Sequence, residues 1–314
     1  MLQKIINGYR LTYDEAIDLL NTTPKDELYK LANGLREHFQ KRRISTCMIM
    51  NAKSGACSED CKWCSQSGFH KTNVPVYKLV SINDALQDAH IAEKAGSKMF
   101  GLVTSGRKVS PSELNLLSDI YNTLRKETPK LNLCSSLGLL SKPELQKLFD
   151  SGVKRYHCNI ETSPSFFPQL CSTHTIDEKI STIKAAKEIG MEICSGGIIG
   201  MGESMEQRIE MAILLHQLNV DSIPLNLLQP IKGTPLQDAN PLTDEEILTS
   251  FAIFRIVHPS ADIRFAGGRA RIKHIQEDAL KCGVSASLIG DMLTTVGSKV
   301  HEDLALFERL GYEY

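Results

Sequence analysis

Two hydrophobic periods trade places repeatedly along this 314-residue chain, and that exchange restricts the possible folds more than any other feature. Short strand-like runs, most of them rich in apolar residues, occur at residues 44–50, 98–103, 131–134, 154–160, 191–195, 221–227 and 262–265. Runs of this length without alternation suit strands covered on both faces, as in a parallel sheet. Amphipathic stretches with helix-start signals lie between them. Ser81-Ile-Asn-Asp opens one that stops at Gly96, and Ser141-Lys-Pro-Glu opens another that stops at Gly152. Strand and helix in alternation predict an α/β fold, with a (β/α)8 TIM-type barrel favoured. Its eighth strand, near residues 287–290, is only weakly marked. Pattern alone leaves an open doubly wound sheet as an alternative, although no GxGxxG follows the first strand. Leu11 to Ala16 and the segment from Pro24 read as helices. The expected organisation is thus an N-terminal helical extension over 1–43 and a barrel with C-terminal helices over 44–314.

Composition excludes several classes of partner. With 36 basic and 37 acidic side chains the net charge is −1, so no electrostatic footprint for nucleic acid or an anionic membrane exists. No apolar run reaches the roughly 18 residues of a membrane span. Asp14, Glu15 and Asp18 stand where a signal peptide would be apolar, and the cytoplasm is the expected compartment. Against this plain background stand nine cysteines: Cys47, Cys57, Cys61, Cys64, Cys134, Cys158, Cys171, Cys194 and Cys282. An odd number in such a chain argues against a disulfide framework. Reduced thiols serve as ligands, as nucleophiles or as small buried apolar groups.

Cys57-Ser-Glu-Asp-Cys61-Lys-Trp-Cys64 places three of them in a short loop after the first strand. Three converging thiolates are soft ligands suited to iron–sulfur clusters or zinc. A closed zinc site wants a fourth ligand, and His70 is the only candidate nearby. A [4Fe–4S] cube on three thiolates instead leaves one iron open. The spacing resembles the signature of the radical S-adenosylmethionine (AdoMet) superfamily. In that superfamily the open iron chelates AdoMet, and an electron cleaves it to a 5′-deoxyadenosyl radical. Trp63, just before the third cysteine, matches the aromatic that flanks the adenine there, although a simple core role also suits it.

Further motifs resemble the biotin synthase family over about residues 40 to 312. They are Asn51-Ala-Lys-Ser-Gly-Ala-Cys57 with the triplet, Cys194-Ser-Gly-Gly-Ile-Ile-Gly-Met-Gly-Glu203, Asn226-Leu-Leu-Gln-Pro-Ile-Lys-Gly-Thr-Pro-Leu236 and Arg264-Phe-Ala-Gly-Gly-Arg269. The resemblance implies sulfur insertion between C6 and C9 of dethiobiotin, an electron donor of flavodoxin or ferredoxin class, and a homodimer. It places Gly197 and Gly200 against AdoMet, and Glu161, where Asp is usual, on the AdoMet ribose. Asn159 and Asn226 would hold substrate. Glu203 opens the next helix, where matching the helix dipole explains it as well as a ligand contact does.

The family's auxiliary Fe–S cluster uses three strand cysteines and an arginine, and Cys134, Cys194 and Arg264 match three of those positions. Gly101 occupies the fourth. Cys47 on the first strand and Cys158 on the fourth are the thiols available to compensate. The expected auxiliary cluster is therefore of four-iron type, held by Cys47, Cys134 and Cys194, with Cys158 or Arg264 near an open iron. Arginine stays protonated and suits a counter-charge better than a ligand. Cys171 and Cys282 fall outside these motifs and read as structural, and no histidine is assigned a role. Related enzymes of the same barrel family, a hydrogenase maturase or a methylornithine-forming mutase, are the alternative activity. A non-enzymatic zinc or Fe–S module is the remaining class.

Overall fold

The computed structural model describes residues 1–290, 293 and 299–314. Three helices come first: α1 (Leu2–Ile6), α2 (Tyr13–Thr22) and α3 (Lys25–Gln40). Strand and helix then alternate through β1 (Ser45–Lys53), α4 (Ile82–Lys94), β2 (Met99–Thr104), α5 (Pro111–Glu127), β3 (Asn132–Ser136), α6 (Lys142–Asp150), β4 (Val153–His157) and α7 (Ile176–Ile189). The second half runs β5 (Glu192–Cys194), β6 (Gly197–Ile199), α8 (Met205–Gln217), β7 (Ser222–Leu227), α9 (Asp244–Val257), β8 (Asp262–Phe265), α10 (Gln276–Lys281), β9 (Ala286–Leu288) and α11 (Val300–Arg309).

All segments pair in parallel in the order β5-β4-β3-β2-β1-β9-β8-β7-β6, and Cys194 of β5 also pairs with Ser222 of β7. That pairing closes the sheet, as the TIM-type expectation requires. β5 and β6 are two halves of one broken strand, so nine segments make eight staves. The weakly marked eighth strand is β9, only three residues long and clasped between β1 and β8.

Strand period decides what each side chain faces. Phe100, Tyr156, Ile193, Ile223, Ile263 and Phe265 point outward and join the buried layer under the helices. Each such side chain contributes about 1.5–3 kcal/mol by leaving water. Their neighbours in sequence, including Gly101, Arg155, Cys194, Pro224 and Arg264, face a central cavity instead. Helix starts are set locally. Asp84 and Glu144 accept the backbone N–H of Ser81 and Ser141, the two capping boxes expected from sequence. The N-terminal helices pack on this frame, α2 on α8 and α3 on α9. Arg36 of α3, fully buried, donates to Val284 O at 2.9 Å.

Candidate active site

Long loops at the carboxyl ends of the strands bound the cavity, the end of such barrels where ligands bind. Its volume is about 440 Å³, within the range of small-molecule pockets. Cys57, Cys61 and Cys64 line its mouth. Their loop is fixed by its own backbone: Cys57 N–H donates to Gln66 O (3.0 Å), Gly68 N–H to Cys57 O (2.8 Å) and Cys64 N–H to Cys61 O (3.0 Å). Lys62 N–H ties it to Leu170 O across the barrel at 3.0 Å. None of the three thiols is in a disulfide. Burial pushes the Cys64 thiol up to about 11, so a metal's charge is needed to hold it as thiolate at neutral pH. His70, the possible fourth zinc ligand, has Nε2 at 3.0 Å from Cys61 O. That nitrogen is taken up by the loop backbone. Three soft donors without a fourth in their loop fit a cube with one open iron.

Trp63 packs against Phe166, Leu170, Met201 and Leu228 and also lines the cavity. The second half of the broken strand lines the cavity through Ile198, whereas Gly197 and Gly200 are not among the lining residues. A Cβ on Gly197 would lie 2.4 Å from Glu161 O, and one on Gly196 only 2.0 Å from Pro224 O. Only glycine lets these backbones approach so closely. Two amides replace the ladder bonds that the break removes. Asn159 Oδ1 accepts from Gly196 N–H at 2.9 Å. Asn226 Nδ2 donates to Gly197 O at 3.0 Å, while its Oδ1 accepts from Gly267 N–H at 2.8 Å. Each amide keeps one N–H and one lone pair for the cavity. Glu161 holds φ at +71°, an unusual backbone for a side-chain-bearing residue, and its N–H and C=O bridge Gly196 and Ile198. Glu203 is explained by the turn itself: its carboxylate accepts Gly200 N–H and Met201 N–H, both at 2.7 Å, and pairs with buried Arg208. Gly200 serves that turn at φ +94°.

Deeper in the barrel lie Cys47, Cys134 and Cys194, all facing the same cavity. Cys47 and Cys134 pack together with Met99 and Leu288. Burial pushes both of these thiols up. Cys194 differs. Burial opposes its ionisation too, but the charge and hydrogen bond of His157, with Arg264 and Arg155, bring it down to about 7. Arg264 is buried and donates to Ser222 Oγ, Ser45 O and Ser287 O, each at 3.2 Å. Fixed guanidinium groups beside three thiols suit an anionic cluster. Gly101 stands between Ile49 and Cys134 in register, on the expected inward face. Cys158 is placed differently from the other strand cysteines. It follows the end of β4, and the charged groups that act on it are Lys179 and Glu161. The side chain of that strand that reaches Cys194 is His157.

Sequence reasoning missed four contributors. Arg155 and His157 share the inward face of β4, a signal available from their i, i+2 spacing. Lys179, on the first turns of α7, is only 9% exposed and lines the cavity. It sits among the fields of Glu161, Cys158 and Cys61, and among the described residues it has no carboxylate within ion-pair reach. Cys171, read as structural, has its sulfur 3.7 Å from that of Cys61.

A closed parallel barrel, a three-thiol loop at its carboxyl end and a glycine-walled cavity beside that loop together define a radical AdoMet enzyme. In agreement, residues 52–215 match the Radical SAM superfamily, and residues 224–313 match the Biotin and Thiamin Synthesis associated domain. Biotin synthase of Parabacteroides distasonis is 50% identical over 311 residues, covering 99% of this chain and 95% of that protein. Biotin synthase of Porphyromonas gingivalis is 49% identical, covering 99% and 94%. The chain belongs to the biotin synthase family. A [4Fe–4S] cluster and AdoMet go with that membership. The crystal structure of a methylornithine synthase superposes with a TM-score of 0.84 over 99% of this chain and 96% of that one, at 19% identity. At that identity the likeness concerns the fold. Among the described residues no helix is long and apolar enough to cross a membrane.

Proposed function

We propose that the chain inserts sulfur between C6 and C9 of dethiobiotin to form biotin. The observation that carries this reading is the pair of thiol triads on one cavity, Cys57, Cys61 and Cys64 at the mouth and Cys47, Cys134 and Cys194 beneath. When bound, the mouth cluster and AdoMet supply reductive sulfonium cleavage and hydrogen abstraction from unactivated carbon, and a second cluster supplies sulfur. Unactivated carbon offers acid–base side chains nothing to act on, so the chain's own task is holding and shielding.

Trp63 provides an apolar face for the adenine. Glu161 takes the ribose, the backbone of Gly197 and Gly200 borders the methionine part, and the Lys179 ammonium faces its carboxylate. Asn159 and Asn226 turn their remaining N–H groups and lone pairs to the neutral ureido ring, which needs a donor and an acceptor together. Arg155 and Arg264 offset the negative charge of the second cluster, for which Cys47, Cys134 and Cys194 are the ligands. Gly101 favours a four-iron cluster over the diamond [2Fe–2S] type. Cys158 stays outside that set because its neighbours are Lys179 and Glu161. A flavodoxin- or ferredoxin-class donor, a homodimeric state and a cytoplasmic site complete the reading.

Anaerobic incubation with dethiobiotin, AdoMet and reductant, followed by mass spectrometry, tests it. Biotin should form together with deoxyadenosine. Deoxyadenosine without biotin would overturn the substrate assignment, and no AdoMet cleavage would overturn the class.

A further inference from the structure

Next to the mouth triplet, and sharing Cys61 with it, lies a second group of metal-type donors. Cys171-Ser-Thr-His174 follows a short turn of 3-10 helix between β4 and α7, and the fold brings it against Cys61 across 110 residues of sequence. Cys61, Cys171 and His174 are all buried. Their ligand atoms lie within 4.8 Å of one another. We propose that, when the mouth cluster is absent, Cys61, Cys171 and His174 bind a single divalent transition-metal ion of the iron or zinc type.

Distances carry the assignment. Tetrahedral coordination with metal–sulfur bonds of about 2.3 Å sets two thiolate sulfurs about 3.8 Å apart, and sulfur and imidazole nitrogen about 3.6 Å apart. The observed separations are 3.7 Å between the Cys61 and Cys171 sulfurs, and 3.3 and 3.9 Å from Cys171 Sγ to His174 Nδ1 and Nε2, which bracket the ideal sulfur–nitrogen value. His174 Nδ1 is held by Glu59 Oε2 at 2.6 Å. A carboxylate on Nδ1–H leaves the Nε2 lone pair for a metal, the outer arrangement that ligating histidines ordinarily have. Glu59 is itself fixed by Thr173 Oγ1 at 2.8 Å. Asp60 Oδ1 lies 3.3 Å from Cys171 Sγ and also accepts Ser172 N–H (2.9 Å) and Thr173 N–H (3.2 Å), so the fourth coordination position is open to this carboxylate or to water. Two thiol protons leave as the ion enters, and its charge is balanced by the two thiolates. No redox step is involved.

Cys61 cannot serve this ion and the mouth cluster together, so the two occupancies exclude each other. The site does not depend on which reaction the cavity performs.

Cobalt(II) is the probe, added anaerobically to reduced, cluster-free full-length protein carrying Cys57→Ala and Cys64→Ala. Of the mouth triplet only Cys61 then remains. Tetrahedral ligand-field bands with thiolate-to-cobalt charge transfer are expected. Adding Cys171→Ser or His174→Ala should remove one cobalt equivalent, leaving any signal from the deeper cysteines common to all variants. Glu59→Gln should weaken that site by about 10- to 100-fold. Equal cobalt stoichiometry and spectra with and without Cys171→Ser and His174→Ala would overturn the proposal. In the otherwise natural chain those two substitutions should still permit assembly of the mouth cluster, which shows that they fold. Iron and sulfide added to the cobalt-loaded natural chain should expel the cobalt as the cluster forms. Cobalt retained beside a complete cluster would overturn the shared use of Cys61.

Discussion

Replacing Cys47 with alanine separates a ligand from a buried small group. Its sulfur packs with Met99, Cys134 and Leu288, and the residue is 9% exposed. Removing one sulfur from such a site costs the cluster-free chain about 1 kcal/mol, in line with the loss of a single buried methylene. A loss that small leaves the barrel folded. The metal content should respond far more strongly. Two four-iron clusters give roughly eight irons per chain, and loss of the deeper one leaves roughly four. Iron and acid-labile sulfide assays on anaerobically reconstituted protein measure this, and thermal melting of the cluster-free chain measures the stability cost. The register also offers a rescue. Gly101 lies beside Ile49, two residues along from Cys47, and a Cβ there would sit 3.5 Å from Cys134 Cβ and 3.6 Å from Ile49 Cγ2. Those are ordinary contacts, so the Cβ of Gly101→Cys is accommodated without strain. In the Cys47→Ala background it should recover roughly two irons, because it rebuilds the diamond-cluster ligand set with Cys134, Cys194 and Arg264. Unchanged iron in Cys47→Ala refutes the ligand role, and no recovery in the double variant refutes the reading of Gly101.

Five other substitutions supply tests, four of them at or beside the cavity and one, at His258, among the outer helices. Gly197→Ala drives a Cβ to 2.4 Å from Glu161 O and 2.6 Å from Met211 Sδ, so it should cost about 1–3 kcal/mol in urea unfolding, whereas Gly101→Ala should change little. Asn226→Asp keeps the shape but removes the donor to Gly197 O at 3.0 Å, with an expected loss of about 1–3 kcal/mol and a raised KM for dethiobiotin. Lys179→Met removes a buried cation, so stability should hold or rise while AdoMet affinity falls roughly 10- to 100-fold in equilibrium dialysis; unchanged affinity removes Lys179 from the AdoMet site. His258 is buried, and burial first, then His216 beside it, bring its pKa down from 6.5 to about 3. The folded form therefore binds this proton less readily than the unfolded chain does. Its contribution to stability is complete above about pH 6.5 and falls by roughly 1.4 kcal/mol per unit as the pH drops toward 3. His258→Gln should flatten that slope between pH 6 and 5 in denaturant titrations.

Local information accounts for what was legible in the sequence. The mouth triplet spans eight residues of one loop, so spacing alone announced it. Strand and helix alternation and the capping boxes are also short-range, and they led to the barrel. Facing was harder to read. Cys158 and His157 are adjacent, and only the point where β4 ends decides which of them reaches Cys194. The broken strand looked like one strand followed by a glycine-rich turn, yet Gly197–Ile199 pairs with β7 and the turn begins at Gly200. Cys171 read as merely structural because its partner is 110 residues away. Its Cys-x2-His spacing was the one signal present.

The break at Ser195 and Gly196 explains why both thiol triads can share one cavity. Along an unbroken strand, residues 194, 196 and 198 would all point inward. Cys194 must do so to reach His157 and the deeper triad. A side chain at 196 would instead meet Pro224 O at 2.0 Å. Glycine at 196 and 197 removes that obstruction, but it also withdraws a stretch of ladder hydrogen bonding, and buried backbone groups cannot be left unpaired. Asn159 and Asn226 answer that need from the neighbouring strands, the first on Gly196 N–H and the second on Gly197 O. Both amides are thereby fixed at the level between the mouth triad and the deep triad, each with hydrogen-bonding capacity left over. The groups proposed to hold substrate are thus the groups that make the break tolerable. Substrate position and the separation of the two triads are set by the same interruption of one strand.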